Sequence, residues 1–195
     1  AGLSTNMARG MGEGWSDFYA EAMLSEPTDP INAIYTTGGY ATYLIAAGFT
    51  GNYYYGIRRF PRAPITFVGP NGKPHNPFTF RYINADCNTL IGTTTSSPPP
   101  NSAFPRGPIG VTTCDQVHNI GEIWSSFLWE IRNRMVTRLG HTAGTTRVLQ
   151  AVTDGMKLAP VGPTILQERD AIIAAAAALP LAPEASLDVV DVREG

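Results

Sequence analysis

The sequence predicts a mainly α-helical chain that carries one long loop-rich stretch and a short β-hairpin. Met11, Trp15, Phe18 and Ala22 recur at helical spacing near the start, so one face of that segment is apolar. Ile120, Ile123, Trp124, Phe127, Leu128 and Ile131 form a second and stronger stripe. Between the two, proline punctuates residues 62–113 too often for regular structure to persist.

Residues 1–9 read as a polar lead-in in which Ser4 or Thr5 caps the first helix. That helix should run to about Ser25, because Pro27 and Pro30 forbid its continuation. A second helix is expected over Ile31–Ala47, with Ile34, Tyr35, Tyr43 and Leu44 inward and a kink or break at Gly38-Gly39. Gly69-Pro70-Asn71-Gly72 reads as a turn between short strands at Ile65–Val68 and Phe78–Ile83. His75 falls on that turn as a solvent-exposed loop histidine. The run Ser96–Asn101 reads as a surface loop of polyproline character.

Residues 117–139 form one long core helix with Asp115 placed as its N-cap and Gly140 as its stop. His141 is expected only as a charge partner of that helix end. A further helix spans Thr145–Leu158, and Pro163-Thr164 opens another that reaches about Ala178. Residues 1–195 are treated as a single, incomplete domain in which 62–113 is a loop-rich insertion.

Bulk properties exclude several function classes. A net charge of −2 without a basic run argues against nucleic acid and against an electrostatic membrane partner. No stretch approaches the roughly 18 apolar residues of a transmembrane helix. Charged residues make up 15% of the chain and stand beside 20 Gly and 16 Pro, which suits a loop-stabilised extracellular protein. Cys87 and Cys114 bracket a Ser-, Thr- and Pro-rich loop. In an exported protein one disulfide would close it, contributing about 3–4 kcal/mol on the chain-entropy model. Two free buried thiols are the alternative.

Chemistry concentrates in two motifs. In Gly12-Glu13-Gly14-Trp15-Ser16-Asp17-Phe18, Glu13 and Asp17 lie four apart and project from one side of a helix. Such a pair either faces water or meets something cationic. The second motif is Val117-His118-Asn119-Ile120-Gly121-Glu122-Ile123-Trp124. Together with Gly56-Ile57-Arg58-Arg59-Phe60-Pro61, these segments resemble the fungalysin family, secreted zinc metallopeptidases of the thermolysin-like type. The resemblance covers nearly the whole chain and implies a thermolysin-like C-terminal helical subdomain.

It also implies roles. Glu13 stands where the family supplies its third zinc ligand, and Asp17 where a carboxylate receives the hydrogen bond of a zinc-bound histidine. Arg58, with Arg59 the alternative, matches the arginine that donates to the carbonyl just after the scissile bond. A planar guanidinium suits that task, because its fork fixes a carbonyl in direction as well as in charge. His118 matches the histidine that donates to the developing oxyanion, with Asp115 as holder of its other nitrogen.

The family's other two ligands and its general base come from an upstream H-E-x-x-H helix. This chain has His75, His118 and His141, no two of them four apart. The expectation is therefore the C-terminal portion of an extracellular zinc endopeptidase acting on peptides or proteins. Its partner is the half that carries H-E-x-x-H, and by itself it is expected to be inactive. A non-catalytic binding or assembly module is the competing reading.

Overall fold

The computed structural model describes residues 2–41, 52–69, 72, 74–80, 116–179 and 185–194. These residues are mainly helical. The named helices are α1 (Asn6–Leu24), α2 (Asn52–Tyr55), α3 (Val117–Leu139), α4 (His141–Leu158), α5 (Ile165–Ala178) and α6 (Ala185–Glu194).

Local chemistry explains most of the boundaries. Thr5 caps α1, its Oγ1 accepting from the Ala8 amide at 3.1 Å, and the chain turns out after Ser25 ahead of Pro27. Gly140 adopts φ +82°, a region that favours glycine, and so ends α3 and starts α4 with one residue between them. Thr164 and Gln167 form a reciprocal capping box at the start of α5.

The helices stack in sequence. α1 lies along α3, α3 also contacts α4 and α6, and α4 meets α5, which meets α6. The α1–α3 seam holds the largest side chains. Trp15 meets Trp124 edge-on with centroids 6.2 Å apart, and Phe18 meets Trp129 in the same way at 6.4 Å. Met135, Val148, Val152 and Ile172, all fully buried, continue the core outward through α4 and α5. Each such side chain contributes about 1.5–3 kcal/mol by leaving water. Among the described residues no helix is long and apolar enough to cross a membrane.

Several expectations are corrected here. Residues 31–38 are not helical. Instead Tyr35 pairs with Arg62 in an isolated antiparallel bridge, with N–O distances of 2.9 and 2.8 Å. Its hydroxyl donates to Asp29, and its ring packs 4.9 Å from Trp129. A tertiary partner thus overrides a segment that two glycines had already weakened. Of the expected hairpin, the described residues hold a turn, Gly72 N donating to Gly69 O at 2.9 Å, and one bridge between Val68 and Pro74, while residues 81–83 lie outside them.

His75 is buried and not exposed: Phe67 stacks on it at 4.7 Å, and Tyr54 Oη lies 2.7 Å from Nδ1. Desolvation pushes its pKa down. His141 is the first residue of α4 and reaches back to Ser25 Oγ at 3.0 Å. A last helix spans Ala185–Glu194. Gln116, not Asp115, caps α3. Asp115, Cys87, Cys114, Tyr43 and Leu44 lie outside the described residues.

One core position is poorly matched to its surroundings. Glu168 in α5 is fully buried, and among the described residues neither carboxylate oxygen has a hydrogen-bond partner. Desolvation pushes its pKa from 4.5 to about 7. The folded state therefore binds more protons than the unfolded chain between those values, and stability falls as pH rises through that window. Glu168→Gln is expected to melt above the parent at pH 8 and level with it near pH 5. Parallel thermal melts check this, and an equal offset at both pH values would refute it.

Candidate active site

The site is built by a close helix crossing. Gly10 and Gly14 on α1 face Ile120 and Gly121 on α3. A Cβ on Gly14 would stand 2.5 Å from the Gly121 carbonyl oxygen, and one on Gly121 would stand 2.9 Å from Glu13 Cβ. Without side chains at the seam the two backbones touch, and the flanking Glu13 and His118 are brought face to face. His118 Nε2 lies 3.3 Å from Glu13 Oε2, with the two side chains 43% and 40% exposed. A carboxylate and an imidazole meet at the rim of a buried seam, open to solvent.

Beneath this rim three arginines from one short segment are fastened to carboxylates on α1 and α3. Arg58 makes a bidentate pair with Asp17, Nε to Oδ2 at 2.7 Å and Nη2 to Oδ1 at 2.8 Å. Arg59 turns to Glu122, which accepts from its backbone amide and its Nε, each at 2.5 Å. Its guanidinium lies 4.5 Å over the Phe78 ring. Arg62 donates to Glu21 at 2.9 Å and to the Glu122 carbonyl and Ser126 hydroxyl. All six side chains are buried.

The shared carboxylate spacing accounts for part of this arrangement. Asp17 and Glu21 are one turn apart on α1 and present acceptors in a row, which the arginines of residues 58–62 meet. Burial alone would push the Arg58 pKa down. The hydrogen bond and charge of Asp17, helped by Glu122 and Glu13, outweigh it and hold the pKa above the ordinary value. Glu21 is shifted upward, because desolvation outweighs the opposing Arg62 charge and the Thr37 hydroxyl that donates to it.

Glu13 with His118, and Asp17 with Arg58, are therefore brought together as pairs. The charge of Arg58 couples to Glu13, and Arg59 faces Glu122 and Phe78. Sequence reasoning missed Glu21, Glu122 and Arg62 as parts of one network. The available signal was the i,i+4 continuation of Glu13 and Asp17 into Glu21. It also missed Gln116, whose amide touches the His118 ring.

Among the described residues no group of three or more His, Cys, Asp and Glu side chains could hold a metal ion. Glu13, a solvent-accessible carboxylate beside an imidazole, could take one position of a metal sphere. His118 is one residue into α3, with its ring directed at Glu13.

Comparison with known proteins gives the family. The model of the fungalysin metallopeptidase family matches residues 1–183. The chain belongs to the fungalysin family. Among similar proteins, the extracellular metalloproteinase mep of Aspergillus fumigatus is 28% identical over 183 residues, covering 87% of this chain and 22% of that protein. Extracellular metalloproteinase 2 of Trichophyton rubrum is 29% identical over 185 residues, covering 88% of this chain and 22% of that protein. Extracellular metalloproteinase 9 of Uncinocarpus reesii is 28% identical over 190 residues, 91% and 23% of the respective chains. This fungalysin chain thus spans about a fifth of the length of the curated relatives it matches.

Proposed function

We propose that this chain is the C-terminal portion of the catalytic domain of a secreted zinc endopeptidase, hydrolysing peptide bonds together with a segment that carries H-E-x-x-H. The carrying observation is the Glu13–His118 pair, set at an open rim by the glycine crossing of α1 and α3. Secretion is inferred from the similar proteins, which are named extracellular metalloproteinases.

In this reading Glu13 supplies a carboxylate oxygen as the third protein ligand. Zinc, when bound, polarises the scissile carbonyl and activates a water molecule. His118 presents Nε2–H to the carbonyl oxygen as negative charge develops on it, where a preorganised donor acts most strongly. Arg58 is held rigid by two bonds to Asp17, which leaves Nη1, 3.5 Å from the Ile57 carbonyl oxygen, to orient the next carbonyl of the substrate. Asp17 keeps lone pairs that can accept from a histidine ligand of the other segment.

The test uses the complete polypeptide in which an H-E-x-x-H segment precedes this chain. It should cleave an unstructured protein substrate, stop on chelation and recover with zinc. The chain alone should show neither cleavage nor a tight stoichiometric zinc site. Cleavage that ignores chelators, or a submicromolar zinc site on the isolated chain, would sink the proposal.

A further inference from the structure

The geometry points to Gln116 as the residue that fixes the tautomer and orientation of His118, holding the ring with its proton on Nε2. In the metallopeptidase reading, on which its functional meaning rests, Gln116 is a positioning residue. The observations concern the residue immediately ahead of α3. Gln116 is the N-cap of that helix, and its Oε1 accepts from two backbone amides, His118 N at 2.7 Å and Asn119 N at 3.2 Å. Those contacts decide which way round the side-chain amide sits. Flipping it would aim an NH2 group at two N–H donors and forfeit both cap bonds, and an unmet buried donor costs about 1–3 kcal/mol.

With Oε1 committed to the helix, Nε2 of the same amide is left 2.6 Å from His118 Nδ1. That nitrogen carries two protons and no acceptor capacity. Nδ1 must therefore be the bare, accepting nitrogen of the ring, and in neutral imidazole the proton then resides on Nε2. The opposite edge of the ring agrees independently. Nε2 faces Glu13 Oε2 at 3.3 Å, and an ionised carboxylate only accepts. A group that can only donate thus sits at Nδ1, and one that can only accept sits at Nε2.

The chemical consequence differs from that of a histidine held by a carboxylate. A carboxylate partner demands Nδ1–H, so Nε2 can donate only when the ring carries both protons. An amide donor at Nδ1 makes Nε2–H available from the uncharged ring. The direction of the Nε2–H donor is set by the same side chain that caps the helix. One residue couples the start of α3 to the aim of the imidazole.

The test is two-bond proton–nitrogen NMR of the imidazoles of this 195-residue chain, recorded at alkaline pH where the rings are neutral, with His118→Gln used to assign the signals. The parent should show a protonated Nε2 and a bare Nδ1 at His118. Gln116→Glu keeps an oxygen cap for the helix but replaces the amide donor with an acceptor, and should move the proton to Nδ1. Gln116→Ser keeps a cap too short to reach the ring, leaving only Glu13 to favour Nε2–H, so Nδ1–H should become partly populated. A parent with Nδ1–H would overturn the inference. So would an unchanged tautomer in both variants, each confirmed as folded by circular dichroism. No peptidase activity is needed for this measurement. Failure of the metallopeptidase proposal would leave a tautomer switch visible, and failure of the switch would leave zinc-dependent cleavage untouched.

Discussion

Glu13→Ala, made in the complete polypeptide, is expected to abolish peptidase activity together with metal content, whereas His118→Ala keeps the metal and loses rate alone. The two side chains are 3.3 Å apart and nearly equally exposed, so simple proximity to the chemistry does not separate them. Their roles do. A zinc sphere reduced from three protein ligands to two holds the ion far less tightly. Removal of one preorganised donor acts only on charge that exists in the transition state, so kcat should fall by about 10²–10³ with KM nearly unchanged. Metal analysis beside steady-state kinetics on both variants makes the comparison. Equal loss of zinc from the two would show that His118 is a ligand. A kcat for His118→Ala within about twofold of the parent would mean that it is only a helix-start histidine.

Glu122→Ala should be the most damaging single truncation for stability, with an expected loss of about 3–5 kcal/mol. Glu122 is 2% exposed, and its two oxygens accept from the backbone and the guanidinium of Arg59, itself 1% exposed. Truncation leaves a cation in the core without its carboxylate, and the desolvation of that cation has already been incurred. The 56–62 segment is also fastened through the Glu122 carbonyl to Arg62, so the effect should spread to its neighbours. Glu122→Gln should lose less, because an amide oxygen can still accept one of the two bonds. Urea unfolding of the three proteins gives the order. A Glu122→Ala midpoint shift worth less than about 1 kcal/mol would mean that Arg59 is satisfied without this carboxylate. Because Arg58 precedes Arg59 in the chain, the same variant should also blur the Asp17–Arg58 fork.

How much of this was legible beforehand varies element by element. The range of α3 was predicted to the residue, because a six-residue apolar stripe and a terminal glycine are local signals written within a few turns. α1 and α5 followed for the same reason, with Ser4 or Thr5 read as the first cap and Pro163-Thr164 as the opening of α5. Glu13 and His118 were legible as a pair of motifs, 105 positions apart, through their likeness to one family and not through any spacing rule. The stretch around Tyr35 was misread, because its inward-facing aromatics fit a helix and an isolated bridge equally well.

The sequence by itself determined the long helical segments α1, α3 and α5 and the breaks that end them. Each of these depends on neighbours three or four positions away, where the chain has almost no freedom to choose otherwise. Only the tertiary structure decided which charges meet. Asp17 with Arg58 and Glu21 with Arg62 are each separated by 41 residues, and Glu122 with Arg59 by 63. Fourteen basic and sixteen acidic residues admit many pairings at such distances. The glycine seam of α1 and α3 brings the carboxylate rows within reach of residues 58–62. Burial then selects among the pairings, since a charge enclosed without its partner costs more than the fold can spare. The same enclosure turned His75 inward, and the cap geometry at the start of α3 set Gln116 against the His118 ring.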